Sequence, residues 1–456
     1  FTSNTASSTS GGGAFFNGAA HVTVSAFAGN HSEDYGGGAR FGATANVTGS
    51  TFISNMATYG GGAAFSAAAN LTGSTFARNA ATYGGGAQFA SSANLTGSTF
   101  ATNTAEAGGG AYLNGVTSVS GGAFTSNTAF EAGGAYFGNS ANLNGSTFAQ
   151  NSASTTNGGG AAFHGTTSVV GSTFLRNTAS NDGGGAYFYW TANVTGSTFA
   201  SNTTSLFNGG GAYFYGTTHV TGSAFHSNTA LLSGGGAYFF GTANVIDCAF
   251  DRNTALLSGG GARFDGTAKV TGSTFSRNTA NRGGGAALEA AGNVTSSVFI
   301  SNAATVGGFA GGIYLAGAAP KRVVNTLFAR NIAVDTRGTA IYVSSVGPLS
   351  LIHTTIAAPI SSTAGAIYVL TGTLRTTNTL ISGHAVGIEQ GGGMVSEDYS
   401  LFDTIASPYS GTVSSGGHSI TGTAGFVNAA VNNFHLGPGS RAIDAGVNAG
   451  IAFDFE

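Results

Sequence analysis

The sequence contains little cysteine, proline, tryptophan or charge: its 456 residues include 1 Cys, 5 Pro and 1 Trp, and only 7% are Asp, Glu, Lys or Arg. A single cysteine excludes a disulfide-stabilised scaffold and metal sites built from several cysteines. Sparse charge together with 34 Phe and 15 Tyr excludes a solvated disordered chain, because such chains are rich in charge and poor in aromatic residues. Scarce proline and glycines without a three-residue period exclude collagen.

The charge balance and the hydrophobic runs limit the possible partners. The formal net charge is −3 with 14 Lys and Arg, so we expect no nucleic-acid partner, since such binding requires neutralisation of phosphates. No uninterrupted run of about 18 apolar residues occurs, and we therefore expect no transmembrane segment. None of the 9 His has a partner at metal-ligand spacing, and the sequence predicts no cofactor. Phe1 lies inside a repeated motif, which indicates a processed or partial product.

A repeat with a period of 24 to 26 residues dominates the chain. Each repeat carries a Gly-Gly-Gly-Ala block, such as residues 84–87, and a stretch similar to Asn-Val-Thr-Gly-Ser-Thr-Phe. Its clearest marker is the motif Phe-x-x-Asn. The motif begins at Phe1, Phe27, Phe52, Phe76, Phe100, Phe124, Phe148, Phe174, Phe199, Phe225, Phe250, Phe275, Phe299 and Phe328. Self-similarity at such a period is typical of solenoids and other repeat architectures.

The repeat has the pattern of strands and not of helices. Three consecutive glycines would each cost about 1 kcal/mol inside a helix, and the apolar positions alternate with a period of two. After Gly-Gly-Gly-Ala the next residue varies and the one after it is nearly always Phe, as in Phe65, Phe89 and Phe137. A second apolar column contains Val47, Leu71 and their equivalents. Both columns are therefore predicted to point inward.

These features predict an all-β fold, a parallel β-helix of about 18–19 coils with about 24–25 residues in each. We expect residues 1–332 to form regular coils and residues 333–456 to form irregular coils of the same solenoid. Like residues then stack about 4.8 Å apart on neighbouring coils. The asparagines of Phe-x-x-Asn are predicted to form a structural amide ladder, which includes Asn55, Asn79, Asn103, Asn127 and Asn151.

The chain resembles the polymorphic outer membrane protein repeats of bacterial autotransporter passengers, which are defined by Gly-Gly-Ala and Phe-x-x-Asn motifs. Its tail is similar to the Pro-x-Ser-x-Ala-Ile-Asp-Ala-Gly signature of secreted bacterial β-helix proteins, here from Pro438 to Gly446. The resemblance implies a right-handed, pectate-lyase-like fold and export, and most members of that family have no known enzymatic activity. The chain departs from the family pattern after the Gly-Gly-Ala motif. An aliphatic residue usually follows this motif in the family, whereas here the sequence reads Ala-(Tyr/Arg/Ala)-Phe.

Charged residues suitable for catalysis are few. Acidic and basic side chains cluster only on two neighbouring coils, and an alternative interpretation of this cluster is scattered surface charge. Its members are Asp247, Asp251, Arg252, Arg263, Asp265 and Lys269. The sequence Gly416-Gly417-His418 resembles a histidine motif of pectin hydrolases, but the companion aspartate motifs are missing. We expect no enzyme, and the alternative is a polysaccharide lyase or hydrolase.

The strongest departure from the repeat is apolar. Three successive coils carry aromatic residues at positions predicted to face outward, and nearby corner loops carry leucine and phenylalanine. We expect an exposed binding patch formed by Tyr187, Tyr189, Trp190, Leu206, Phe207, Tyr213, Tyr215, Leu231, Leu232, Tyr238, Phe240, Leu256 and Leu257. A contiguous exposed apolar patch of several hundred Å² is typical of an interaction surface. The alternative is that loops cover these rings.

Glycosylation sequons recur with the repeat, at Asn46, Asn70, Asn94, Asn193 and Asn293. Together these observations predict a non-enzymatic extracellular or cell-surface structural protein, a subunit of a fibre or surface layer. We expect it to self-associate by head-to-tail stacking of coil ends into a filament and by apolar lateral contacts. The alternative is a cell-surface adhesin that binds a glycan or a host protein through the aromatic patch.

Overall fold

The chain folds as an all-β parallel β-solenoid of about 16 turns with almost no helix, which confirms the predicted fold class. The computed structural model describes residues 1–7, 10–335 and 337–451, apart from the side chains of residues 306, 345, 346 and 359–361. The last five residues of the predicted irregular segment lie outside the described residues. The turns are fewer than the predicted 18–19, and residues 426–436 form an antiparallel strand pair and a 3₁₀ turn instead of a turn of the solenoid.

The structure divides into two compact units, Phe1–Leu231 and Leu232–Glu456. In the first unit each turn contributes three strands and, in most turns, a short fourth one. The first strands are Ala14–Phe16, Ala39–Phe41, Ala63–Phe65, Ala87–Phe89, Ala111–Leu113, Ala135–Phe137, Ala161–Phe163, Ala186–Phe188 and Ala212–Phe214. The second strands are Ala20–Thr23, Ala45–Thr48, Ala69–Thr72, Ala93–Thr96, Thr117–Ser120, Ala141–Asn144, Thr167–Val170, Ala192–Thr195 and Thr218–Thr221.

The third strands carry the phenylalanine of Phe-x-x-Asn, and the short fourth strands follow its asparagine. The third strands are Ala26–Ala28, Thr51–Ile53, Thr75–Ala77, Thr99–Ala101, Ala123–Thr125, Thr147–Ala149, Thr173–Leu175, Thr198–Ala200 and Ala224–His226. The short strands are Thr5–Ala6, His31–Ser32, Met56–Tyr59, Ala80–Tyr83, Thr128–Ala129, Ser152–Ala153, Thr178–Ala179, Thr203–Thr204 and Thr229–Ala230. Each strand pairs in parallel and in register with its equivalent one turn away, as Thr75–Ala77 does with Thr99–Ala101.

Stacked phenylalanine rings fill the core of the first unit. Phe76 lies 4.6 Å from Phe52 and 4.9 Å from Phe100 between ring centroids, with interplanar angles of 1° and 6°. All three side chains are fully buried. Burial of each phenylalanine contributes roughly 1.5–3 kcal/mol, and the in-register pairing of the strands brings the rings face to face.

Glycine is required where the chain approaches the neighbouring turn most closely. Gly84 has a φ of +69°, which side chains rarely adopt, and a Cβ on Gly85 would lie 2.5 Å from the carbonyl oxygen of Gly109. The Gly-Gly-Gly block therefore permits both a left-handed corner and direct contact between backbones. Any larger residue at Gly85 would force the two turns apart.

The corner before the asparagine is left-handed, and in nearly every turn its residue is not glycine, Gly29 being an exception. Its residue has a φ between 53° and 57° in the turns that contain Ser54, Arg78, Thr102, Ser126, Gln150, Arg176 and Ser201. This conformation is unfavourable for residues other than glycine. The adjacent asparagine, described next, supplies hydrogen bonds that hold the corner.

The asparagines of Phe-x-x-Asn form a buried ladder along the first unit. The side-chain amide of Asn103 donates to the Oδ1 of Asn127 at 3.0 Å and to the carbonyl oxygen of Phe76 at 2.9 Å. Its own Oδ1 accepts from the backbone N–H of Asn79 at 2.9 Å and from the Asn79 side chain at 3.0 Å. Asn55 and Asn151 repeat these contacts with their neighbours. Each buried amide is thus fully used within the ladder.

The second unit begins with turns of the same design. Its first strands are Ala237–Phe239, Ala262–Phe264, Ala286–Leu288 and Ile313–Gly317, and its second strands are Ala243–Ile246, Ala268–Thr271, Gly292–Thr295 and Lys321–Val324. Its third strands are Ala249–Asp251, Thr274–Ser276, Val298–Ile300 and Leu327–Ala329, followed by the fourth strands Thr254–Ala255, Thr279–Arg282, Ala303–Phe309 and Ile332–Ala333. The asparagine ladder includes Asn253, Asn278, Asn302 and Asn331.

Later strands of the second unit are longer and less regular. They are Ile341–Ile352, Thr355–Thr377, Leu380–Gln390, Met394–Asp398, Leu401–Asp403, Ser407–Ser410, Val413–Ser415 and Ile420–Thr421. An antiparallel pair, Phe426–Asn428 and Asn433–Leu436, and the 3₁₀ turn Ala429–Val431 follow. This tail packs on the outside of the preceding turns, where Arg330 donates to the carbonyl oxygens of Ala429 and Ala430 at 2.7 and 2.6 Å.

We expect Asn103→Ala to lower the free energy of unfolding by about 2–4 kcal/mol, because it leaves the Asn79 N–H and the Phe76 carbonyl without this buried partner. Asn94→Ala is the matched control, since Asn94 is exposed and its amide bonds only to Asn70, at 2.9 Å. The control should change stability by less than about 0.5 kcal/mol. Urea denaturation followed by circular dichroism measures both, and equal losses would contradict the ladder's role.

Candidate functional site

A strip of stacked aromatic side chains runs along the outside of the first unit. We call it the aromatic strip, and its members are Tyr35, Tyr59, Tyr83, Tyr112, Tyr136, His164, Tyr189 and Tyr215. Consecutive ring centroids lie 4.6 to 5.7 Å apart. Most of these rings are half-buried, and Tyr215 is exposed. Six of the seven consecutive pairs are stacked, and Tyr83 meets Tyr112 edge to face at 62°. Stacking occupies most of the ring faces, so the strip presents mainly ring edges and hydroxyl groups to solvent.

Three different positions of the repeat supply the rings of the strip. Tyr35, Tyr59 and Tyr83 precede the glycine block, whereas Tyr112 and Tyr136 follow its alanine. His164, Tyr189 and Tyr215 follow the inward phenylalanine of the first strand. Sequence reasoning missed the first six members, because a column-by-column comparison does not reveal that different columns meet in space. The recurrence of tyrosine before three successive glycine blocks was the available signal.

The predicted patch is partly buried in the first unit. We expected Tyr187 and Tyr213 to be exposed, and this expectation is wrong: each is only 8% exposed. Their rings stack on one another at 5.3 Å with an interplanar angle of 15°, and Tyr187 also packs beside Tyr189 and His164. Each ring therefore covers its neighbour. The alternation of inward and outward side chains correctly predicts that these two side chains point outward. It does not predict that neighbouring rings shield one another from solvent.

Other members of the patch in the first unit are exposed. Trp190 is 58% exposed and meets the half-buried Tyr189 edge to face at 5.1 Å. Tyr215, Leu206, Phe207 and Leu231 are between 41% and 50% exposed. Leu206 and Leu231 follow the paired strands Thr203–Thr204 and Thr229–Ala230 on adjacent turns. The unit thus carries two groups of exposed apolar side chains, one aromatic and one centred on leucines.

In the second unit the predicted patch residues also separate into buried and exposed members. Tyr238 was expected on the exposed face, but it is only 8% exposed. The guanidinium of Arg263 lies over its ring, 5.8 Å from the ring centroid, and the Tyr238 hydroxyl donates a hydrogen bond to Asp265. Phe240, Leu256 and Leu257 are exposed, and Leu232 is half-buried.

The charged residues of the second unit form two ion-pair groups. Arg263 lies 2.7 Å from Asp265 and 3.4 Å from Glu289, and Tyr238 donates a hydrogen bond to Asp265. Asp251 pairs with Arg277 at 2.7 Å and with Arg252 at 2.9 Å. The carboxylates in both groups therefore have arginine partners, an arrangement typical of surface ion pairs.

The pKa of the Asp251 carboxyl reflects its ion pair. Burial raises this pKa, but hydrogen bonds from Ser276 and Arg277 and the charges of Arg277 and Arg252 outweigh it and hold the pKa below its usual range. Asp251 is therefore a carboxylate at neutral pH, and a general acid requires the opposite shift.

His418 of the predicted histidine motif lies 3.1 Å from Asp398 and stacks on Tyr399 at 4.5 Å.

Three of the five sequon asparagines form an exposed ladder of their own. The amide of Asn94 donates to Asn70 at 2.9 Å, and that of Asn70 donates to Asn46 at 2.8 Å. Asn193 pairs in register with Ser168 and Asn293 with Lys269, so these two amides have no equivalent asparagine in those strands. A glycan on Asn70 or Asn94 would disrupt the amide contacts, whereas Asn193 and Asn293 are exposed and separate from them.

The described residues offer neither a metal-binding cluster nor a membrane-spanning helix. Within residues 1–7, 10–335 and 337–451, no group of three or more His, Cys, Asp or Glu is placed to hold a metal ion. No helix in that part of the chain is long and apolar enough to cross a membrane. Cys248, the single cysteine of the sequence, is buried, and its thiol lies 3.2 Å from the carbonyl oxygen of Ile246.

Comparison with known proteins adds no identification. No protein-family model matches the chain, and no curated protein matches it significantly. The class that the structure defines is therefore the parallel β-solenoid repeat protein. The finer resemblance to autotransporter-passenger repeats stays a prediction from the motifs.

The buried tyrosines of the first unit predict alkaline sensitivity. Burial, with the nearby Asp182 and Tyr189, raises the pKa of Tyr187 to about 12, and burial, with Tyr112 and Glu131, does the same for Tyr136. An unfolded tyrosine ionises near pH 10. Stability that is fully present below pH 10 is therefore lost as the pH rises from 10 through 12.

We expect Tyr187→Phe to lose less stability than the unaltered chain between pH 10 and 12, because phenylalanine cannot ionise. Denaturation midpoints measured at intervals from pH 9 to 12 test this. Parallel declines in the two proteins would show that Tyr187 does not contribute to the alkaline transition.

Proposed function

We propose that this chain is a non-enzymatic extracellular structural protein, a β-solenoid subunit of a fibre or surface layer that contacts other copies through exposed apolar side chains. The proposal is carried by two features that occur together. Each unit has a core of stacked phenylalanine and asparagine columns, and its surface carries exposed aromatic and leucine side chains. Stacked phenylalanine columns and hydrogen-bonded asparagine columns order the core of each unit. Exposed apolar side chains on such a surface are typical of an interaction site.

Three features support a structural role over an enzymatic one. Asp251 and Asp265 are engaged by arginines, and polar groups of the ladders bond within the chain. The repeat itself places like residues in columns, which favours an extended surface over a single catalytic cleft. Export is supported by the resemblance to secreted β-helix proteins, which also implies the right-handed coil.

We expect the double variant Trp190→Ser, Tyr215→Ser to self-associate at least about tenfold more weakly than the unaltered chain, since tyrosine and tryptophan dominate apolar interfaces. Val116→Ser is the matched control, because Val116 is 54% exposed in the same unit but lies outside the patch. Sedimentation velocity over a concentration series measures association. Negative-stain images of the same samples separate lateral bundles from end-to-end filaments.

Ionic strength gives a second measurement. Apolar contacts are little affected by salt, whereas contacts between exposed charges weaken as salt increases. A chain that remains monomeric at every concentration, or an association that disappears in 0.5 M salt, would contradict the proposed lateral contacts.

One observation favours an adhesin as the second candidate. Trp190 is the only tryptophan of the chain, is 58% exposed, and lies beside Tyr189, and an exposed indole is suited to stacking on a sugar ring. Binding on a glycan array that is lost in Trp190→Ala and retained in Val116→Ser would support this alternative.

A further inference from the structure

The second unit contains a cleft of about 710 Å³ between the tail and the outer surface of its last turns. Its wall follows the corners between second and third strands, at Asn325, Asn378 and Tyr399, and its opposite side is formed by tail residues such as Phe434 and Leu436. This volume is in the range of small-molecule sites.

The tail is held in place by a reciprocal pair of hydrogen bonds. Asn378 donates its side-chain amide to the carbonyl oxygen of Val447 at 2.7 Å and accepts from the Val447 N–H at 2.9 Å. Leu380 and Leu401 form a small apolar cluster with Ala442 nearby. The cleft is therefore bounded by chain segments that are fastened to one another, as a preformed site requires.

Large polar side chains replace glycine along the wall of this cleft. In most regular repeats the corner between the second and third strands is a glycine with positive φ, as at Gly97 and Gly222, although Val24, Asp247 and Ser296 also occupy it. In four successive later turns the same left-handed position carries Asn325, His353, Asn378 and Tyr399, with φ between 45° and 54°. Such strained residues cluster at functional sites. The unfavourable left-handed conformation therefore occurs at four residues whose side chains line the cleft.

Two buried hydroxyls beside this wall have no hydrogen-bond partner. Thr379 Oγ1 and Ser400 Oγ are unsatisfied, although both residues are only 1% exposed and line the cleft. Ser273 occupies the equivalent position in a regular turn, where its hydroxyl donates to Thr271 at 3.1 Å and accepts from the Cys248 N–H at 3.1 Å. Unsatisfied buried hydroxyls are uncommon, and a ligand with hydroxyl groups would supply the missing partners.

The chemistry of the lining identifies the class of ligand. Among the described residues that line the cleft there is no Asp, Glu, Lys or Arg. Its polar groups are amides, hydroxyls and imidazoles, which recognise neutral ligands that both donate and accept hydrogen bonds. The Tyr399 ring is fixed against His418 at an interplanar angle of 6°, and Phe434 adds a second aromatic ring to the lining.

We propose that this cleft binds a neutral saccharide of one or two sugar units, whose hydroxyls bond with the side chains of Thr379 and Ser400. The site is separate from the aromatic strip and does not depend on the proposed structural role. A charged uronate is disfavoured, because no lining cation would offset the desolvation of its carboxylate.

Isothermal titration calorimetry of the full chain with maltose, cellobiose, di-N-acetylchitobiose and digalacturonate tests the proposal. We expect saturable binding of at least one neutral disaccharide, with a Kd of about 0.1–1 mM, and none of digalacturonate. Thr379→Val, Ser400→Ala and Tyr399→Gly should each weaken binding about tenfold or more. Tyr399→Gly restores the residue of most regular repeats, so it removes the ring while keeping a corner that folds.

Ser273→Ala is the matched control. It removes a hydroxyl from the same column in a regular turn, so it should lower the unfolding temperature and leave binding unchanged. Thr379→Val and Ser400→Ala remove hydroxyls without partners, so they should not lower that temperature. Absence of binding by all three neutral disaccharides, unchanged affinity in the cleft variants, or loss of binding in Trp190→Ala alone would each overturn the proposal.

Discussion

The hydrogen-bonded asparagine ladder is the interaction on which the rest of the structure depends. Each turn must change direction sharply before its asparagine, and nearly every turn does so with a left-handed residue that is not glycine, such as Thr102. The neighbouring Asn103 compensates for that strain by bonding to the turns on both sides of it. Because each amide serves its neighbours as well as its own turn, local stability is shared between turns. Strand register, ring stacking and the outer columns follow from this alignment.

Alignment in columns also explains the properties of the outer surface. Once strands pair in register, any aromatic residue that recurs at one position stacks on its equivalent, and the ring faces are consumed by neighbouring rings. Tyr187 and Tyr213 illustrate this effect, since they point outward and are nevertheless covered. Side chains that interrupt a column, such as Trp190, remain accessible. Accessibility on this surface is therefore set by departures from the repeat.

The period of the sequence predicted the fold class, the inward columns and the positions of the asparagines, because each of these depends only on residues one repeat apart. Burial of Tyr238 could not be predicted in this way, since it involves Arg263 and Asp265 on the next turn, which depart from the repeat. The aromatic strip was missed because its rings come from three columns. The cleft was missed for a similar reason: Asn378 and Val447 are 69 residues apart, and periodicity carries no information about where a non-repeating tail will pack.

The columns have an implication for how such a chain can change its length. Every regular turn presents the same set of groups on its upper and lower edges, so removing or duplicating one whole repeat would bring matching edges together again. A gene encoding this protein could therefore lengthen or shorten by recombination between repeats without losing the fold. Insertion of a single residue inside a strand has the opposite consequence, because it would shift that strand out of register with its neighbours, whereas the corner loops already accommodate turns of 24, 25 and 26 residues.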